Sequence, residues 1–159
     1  MHSVPHRFRP CLIAAAAAAV FSSAAQAVDY EWSSGNFSTS GVPPLLTPTD
    51  TLSINAGASK TFDTAFANQS TVTWNSDSLG FIASTVSNAG LWDAKSDHDF
   101  TYAGGSVSNF INTGTFRKSG GSGVTTIRNN VNFINSGTID AQTGTIEFAG
   151  GGATFQGGT

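Results

Sequence analysis

From Val86 onward, one phrase of alternating apolar and polar positions returns three times. It reads Val86-Ser-Asn88-Ala-Gly90-Leu-Trp92-Asp-Ala, then Phe110-Ile-Asn112-Thr-Gly114-Thr-Phe116-Arg-Lys, then Phe133-Ile-Asn135-Ser-Gly137-Thr-Ile139-Asp-Ala. Between these phrases lies a second alternating run: Phe100-Thr-Tyr102, Val124-Thr-Thr-Ile127 and Thr145-Ile-Glu-Phe148. Period-two alternation predicts short strands with one buried face. A unit of 23–24 residues made of such strands and glycine turns cannot bury its own apolar side. Stacking successive units, each strand beside its equivalent, buries a continuous column. The pattern therefore predicts an all-β fold, a right-handed parallel β-helix, over an antiparallel sandwich, which gives no reason for one phrase to recur at fixed spacing.

The alternation assigns faces. Val86, Trp92, Phe110, Phe116, Phe133 and Ile139 are expected inside. Asn88, Asn112 and Asn135 are expected to bond amide to amide along the axis. Asn and Gly two apart are expected at corners because both tolerate left-handed backbone. Five residues past each Asn, Asp93, Arg117 and Asp140 should occupy equivalent sites, a positive charge between two negatives.

Residues 28–75 do not show the phrase. They hold Tyr30-Glu-Trp32-Ser-Ser-Gly35-Asn-Phe37, three prolines (Pro43, Pro44, Pro48) and the strand-like Asp50-Thr-Leu52-Ser-Ile54. This segment is expected to cap the stack and supply its first strands, with Trp32 and Phe37 as cap residues. The Phe62/Phe66 spacing suggests a turn or two of helix between Lys60 and Gln69. Residues 76–159 are expected to form the solenoid proper.

Residues 1–27 have the layout of a secretory signal peptide. Arg7 and Arg9 precede an apolar run from Cys11 to Phe21, and Ala25-Gln26-Ala27 closes it. The run is too short for a transmembrane helix, so the expectation is an exported chain with no membrane span. Together, the leader, the W-x-x-G-x-F opening, the proline stretch, the D-x-L-x-I strand and the F-x-N-x-G-T repeats resemble bacterial secreted β-helical proteins. The nearest are autotransporter passengers, filamentous-haemagglutinin-like adhesins, and exported repeat proteins with a C-terminal sorting signal. The resemblance implies a cell-surface or extracellular structural or adhesive role, with surface glycans or host and matrix proteins as partners. The chain stops in glycines in mid-repeat at Thr159, which reads as the N-terminal piece of something longer. An open last coil would favour self-association.

Charge and composition narrow the chemistry. The chain has seven basic and ten acidic residues, and two of the basic ones lie in the leader. No basic patch is present for nucleic acid. The single cysteine, Cys11, lies in the leader, which removes thiol catalysis and thiolate metal sites from the mature chain. Asp97-His98-Asp99 is the densest polar cluster, yet His98 is the one histidine of the mature chain and lacks a second ligand. Gly120-Gly-Ser-Gly123-Val-Thr125 resembles a calcium nonapeptide, but Thr125 replaces the ligating aspartate, so it reads as a flexible turn.

A polysaccharide lyase or glycosidase is the alternative function. Its acids would come from Asp93, Asp97, Asp99, Asp140 and Glu147, with Trp74, Trp92 and Tyr102 to stack on sugar. A threonine row for an ordered surface is broken, since Thr71/Thr73 and Thr143/Thr145 flank Thr125-Thr126. The sequence thus assigns no catalytic, cofactor-binding or metal site and implies no cofactor.

Overall fold

The structure is a computed structural model that describes residues 26–150 and 152–158. Most of the predicted leader lies outside the described residues. Eighteen short strands form six coils, each contributing one strand to each of three six-stranded sheets. Coil 1 holds β1 (Asp29–Trp32), β2 (Gly35–Asn36) and β3 (Leu45–Leu46). Coil 2 holds β4 (Thr51–Ile54), β5 (Lys60–Phe62) and β6 (Phe66–Asn68). Coil 3 holds β7 (Thr71–Trp74), β8 (Leu79–Ile82) and β9 (Thr85–Asn88). Coil 4 holds β10 (Leu91–Ala94), β11 (Phe100–Gly104) and β12 (Ser108–Asn112). Coil 5 holds β13 (Thr115–Lys118), β14 (Val124–Ile127) and β15 (Val131–Asn135). Coil 6 holds β16 (Thr138–Ala141), β17 (Thr145–Phe148) and β18 (Ala153–Phe155).

Every strand pairs in parallel with its equivalent one coil away. The molecule is therefore a three-faced β-solenoid, and the antiparallel sandwich is excluded. The only helix among the described residues is a single 3-10 turn, Phe37–Thr39. The helix expected between Lys60 and Gln69 is corrected: β5 and β6 occupy that stretch, with Phe62 and Phe66 both buried. Their spacing of four spans a corner between two sheets.

The first face carries β1, β4, β7, β10, β13 and β16; the second β2 to β17; the third β3 to β18. Alternation on each strand sends aromatic and aliphatic side chains into the core. Val86, Trp92, Phe110, Phe116 and Phe133 are fully buried as expected, and Ile139 packs half-buried against them. Phe110 and Phe133 stack at 5.4 Å and 7°. Trp32 and Phe37 sit inside coil 1 against Phe62, at 4.9 and 5.0 Å.

The asparagines form a ladder down the third face. Asn68 Nδ2 donates to Asn88 Oδ1 (2.7 Å), Asn88 to Asn112 (2.7 Å) and Asn112 to Asn135 (2.6 Å). The same amides also reach the carbonyls of Leu91, Thr115 and Thr138 at the start of the coil after next. Leu46 and Phe155 occupy the ladder register below and above. The rungs are 20, 24 and 23 residues apart. The coil is thus a compact turn into which extra residues are inserted at corners.

The expected reason for the Asn-x-Gly phrase is corrected. Neither the ladder asparagines nor Gly90, Gly114 and Gly137 adopt positive φ. The glycine is required by proximity: a Cβ on Gly90 would lie 2.0 Å from the Ser70 carbonyl oxygen, and one on Gly114 would lie 2.2 Å from that of Gly90.

Candidate functional site

The acidic cluster Asp97-His98-Asp99 lies at the corner between the first and second faces. Its carboxylates are engaged by neighbouring coils. Asp97 accepts from Lys118 Nζ at 2.5 Å and from the Gly123 amide at 3.0 Å. Asp99 receives Nε and Nη2 of Arg128 at 3.0 and 2.5 Å, and the Thr126 amide at 2.9 Å. Half-exposed His98 stands between them. Among the described residues no group of three His, Cys, Asp or Glu side chains is placed to hold a metal ion.

Lys118 explains the corner. It shares the inward column of the first face with Ala94 and Ala141, directly in register. These two small side chains leave room for its stem, and the residue is fully buried. Its ammonium turns to the corner and also donates to the carbonyls of Gly120 (2.9 Å) and Ser96 (3.2 Å), which uses all three protons. The glycine loop expected to be a flexible turn is instead wrapped on this centre. Gly121, at φ 73°, lies so close to Asp97 that a Cβ there would sit 2.1 Å from Oδ1. A related knot lies lower in the stack, where buried Lys60 meets Asp77 at 2.7 Å and the Gly57 amide donates to the same carboxylate.

The Lys118 hydrogen bond, aided by the Gly123 amide, holds the Asp97 carboxyl below its ordinary value of 3.8. Lys60 does the same for Asp77. A lowered folded-state pKa stabilises the fold above the unfolded-state value, and that contribution disappears as pH falls through the folded value. The protein should therefore lose stability progressively below about pH 5. The Asp97→Asn variant should be weaker at pH 7 and show a shallower decline in acid. Thermal melts between about pH 2 and 7 check this; parallel curves for variant and parent would refute it.

The other candidate acids also bridge coils. Asp93, Arg117 and Asp140 are in register as expected. Arg117 pairs with Asp140 at 2.9 Å, while Asp93 takes Lys95 at 2.8 Å and the Ser119 hydroxyl at 2.6 Å. Glu147 accepts from the Thr126 hydroxyl at 3.3 Å.

The threonine comparison is corrected as well. Thr71 and Thr73 are on the first face, whereas Thr125, Thr126 and Thr145 are on the second. The row that forms is Thr51, Thr71, Leu91, Thr115 and Thr138. Beside it runs Glu31, Ser53, Thr73, Asp93, Arg117 and Asp140, and Asp29 stands in register with Thr51, so the face carries charge at both ends.

Of the aromatic residues expected either in the core or against sugar, Trp74 and Trp92 are fully buried, and Tyr102 is 42% exposed. Tyr102 is in register with buried Phe81, but the ladder shifts between Tyr102 and Gly104 and turns the ring outward. Gly104 and Gly105 both have positive φ there. On the next coil Ile127 stands over Phe100, so the chain turns early at Arg128–Asn130. The Val131 amide closes that turn on the Arg128 carbonyl at 3.2 Å, with Asn130 at φ 64°. Between equivalent register positions, residues 101–107 of coil 4 lie beneath only residues 128–130 of coil 5, which leaves two adjoining hollows of about 360 and 370 Å³. Asn129 and Asn130 line both. Tyr102 and Arg128 border the first, Val107 and Asn132 the second. Sequence reasoning did not single out this corner, although the Gly104-Gly105 pair was its signal.

The fold places the chain among β-solenoid proteins of stacked parallel coils, consistent with β-helical repeat proteins. No protein-family model matches it, and no curated protein or solved structure matches it. Among the described residues no helix is long and apolar enough to cross a membrane.

Proposed function

We propose that the chain is part of an exported, non-enzymatic protein with a structural or adhesive role at the cell surface or outside the cell. It would act as the β-helical passengers and haemagglutinin-like adhesins it resembles do, through many weak contacts along a rigid face. The observation that carries this reading is the disposition of the acids. Asp93, Asp97, Asp99, Asp140 and Glu147 all tie one coil to another. A glycosidase needs a carboxyl held protonated near neutral pH. Of the candidate acids, Asp97 is held below its ordinary value by the Lys118 ammonium.

The test is made on the native host. Intact cells are treated with a protease, and released peptides are mapped, with secreted material collected in parallel. Peptides from residues 29–158 are expected in the shaved or secreted fraction, and cells lacking the protein should adhere less. Recovery only from the cytoplasm would overturn the reading. So would polysaccharide cleavage that disappears on Asp97→Asn or Asp140→Asn substitution.

A further inference from the structure

We propose that the hollow at the corner between the second and third faces, centred on Asn129 and Asn130, binds neutral oligosaccharides. The proposal rests on the adhesive reading above and gives it a ligand class.

Tyr102 carries the argument. A tyrosine in register with Phe81 belongs in the core, yet a built irregularity presents its ring to solvent. Its hydroxyl donates to the Gly105 carbonyl at 2.6 Å, which fixes the ring before any ligand arrives. A fixed aromatic face costs little further ordering on binding and suits the C–H face of a pyranose. Across the hollow, exposed Asn129 and Asn130 offer side-chain amides that both donate and accept, which hydroxyls require. Asn130 takes a left-handed φ of 64° in a loop that the Val131 amide closes, so both residues stand on one turn. Asn132 continues the polar edge, held by its bond to Asn109 at 3.1 Å.

Charge selects the sugar class. Arg128 is the cation at the rim, and Asp99 already neutralises it through two of its five N–H donors. The remaining donors can serve hydroxyls, but no net positive charge is left for a sialic or uronic acid. Each hollow lies in the size range of small-molecule sites. The occupant that matches a fixed ring, paired amides and a neutralised guanidinium is a neutral glycan.

The full chain is applied to an array carrying neutral hexose and N-acetylhexosamine oligosaccharides beside sialylated and uronic-acid ones. Binding to neutral spots is expected, unchanged by added salt. Tyr102→Ala should weaken it by about tenfold or more, and Asn129→Ala should also reduce it. Leu45→Ala, an equally exposed apolar change in coil 1, should leave it intact. Melting curves confirm that the variants fold. Undiminished binding by Tyr102→Ala overturns the site. Retention only on acidic spots, or on none while cells still adhere through the protein, overturns the ligand class and leaves the adhesive reading standing. Loss of the adhesive reading with Tyr102-dependent glycan binding intact would separate the two in the other direction.

Discussion

Replacing Asn112 with alanine should destabilise the protein by about 4 kcal/mol, among the largest effects of any single side chain. Asn112 is fully buried at the middle of the amide ladder. Its Nδ2 donates to Asn135 Oδ1 and the Thr138 carbonyl, and its Oδ1 accepts from Asn88. Truncation leaves donors and acceptors on coils 3, 5 and 6 partly unmatched, where water reaches poorly, and adds a void. Domains are stable by only about 5–15 kcal/mol, so the loss is a large fraction. Because each coil touches only its neighbours, the fault should also divide the stack. Urea unfolding should shift to lower midpoint and become less steep. Asn112→Asp adds a sharper check, since an ionised carboxylate cannot donate to Asn135 Oδ1 whereas a protonated one can. Its folded-state pKa should therefore be raised, so its stability falls as pH rises from about 4 through that raised value. A variant as stable as the parent at pH 7 would show that the ladder contributes nothing beyond shape.

That ladder also shows how much of the molecule could be read from the chain. Coils 3 to 5 were legible because the same residue types recur where the same bonds recur: Asn88, Asn112 and Asn135 with glycine two places on. Coil 2 was not legible. There Asn68 joins the ladder, but Ser70 stands for glycine and Val72 for the aromatic residue, so the phrase dissolves while the geometry persists. In coil 1 Leu46 takes the asparagine register and no polar marker remains. Without the phrase, residues 28–75 read as a cap with the first strands, and those strands join the same three sheets as the rest.

The charged corner was not legible for a different reason. Lysine is taken to be exposed, yet alternation from buried Phe116 puts Lys118 on the inner side. Its register partners, Ala94 and Ala141, mark the space it needs. Parity and alignment together contained the answer, although the sequence reading assigned Lys118 no face. The Tyr102 hollow escaped for a reason no alignment of strands supplies. It arises from unequal spans between register-equivalent positions on adjacent coils, a difference that becomes a shape only when one coil is stacked on the other.

The second large effect is expected at Gly114, where alanine should destabilise by about 3 kcal/mol, the upper end for overpacking. The added Cβ would fall 2.2 Å from the Gly90 carbonyl oxygen and 2.6 Å from the Ala89 carbonyl carbon. Both are backbone atoms, so no side chain can rotate away. The Gly90 carbonyl also accepts the Thr115 amide at 2.8 Å, and Asn112 Nδ2 reaches the Gly114 carbonyl. Relief therefore requires coils 4 and 5 to part where the ladder and the first face begin. Gly41 supplies the contrast. It has open space around its Cα but a φ of 80°, so alanine there meets only the conformational cost of about 1 kcal/mol. Denaturant midpoints for the two variants separate the mechanisms, since crowding acts at Gly114 and backbone conformation at Gly41. Equal losses would mean that the coils slide freely enough to admit a methyl group. The recurring Asn-x-Gly phrase would then be a turn preference and not a packing requirement. A larger loss at Gly114 identifies the glycine as the residue that sets how closely successive coils approach, and the asparagine two places before it as the one that holds them there.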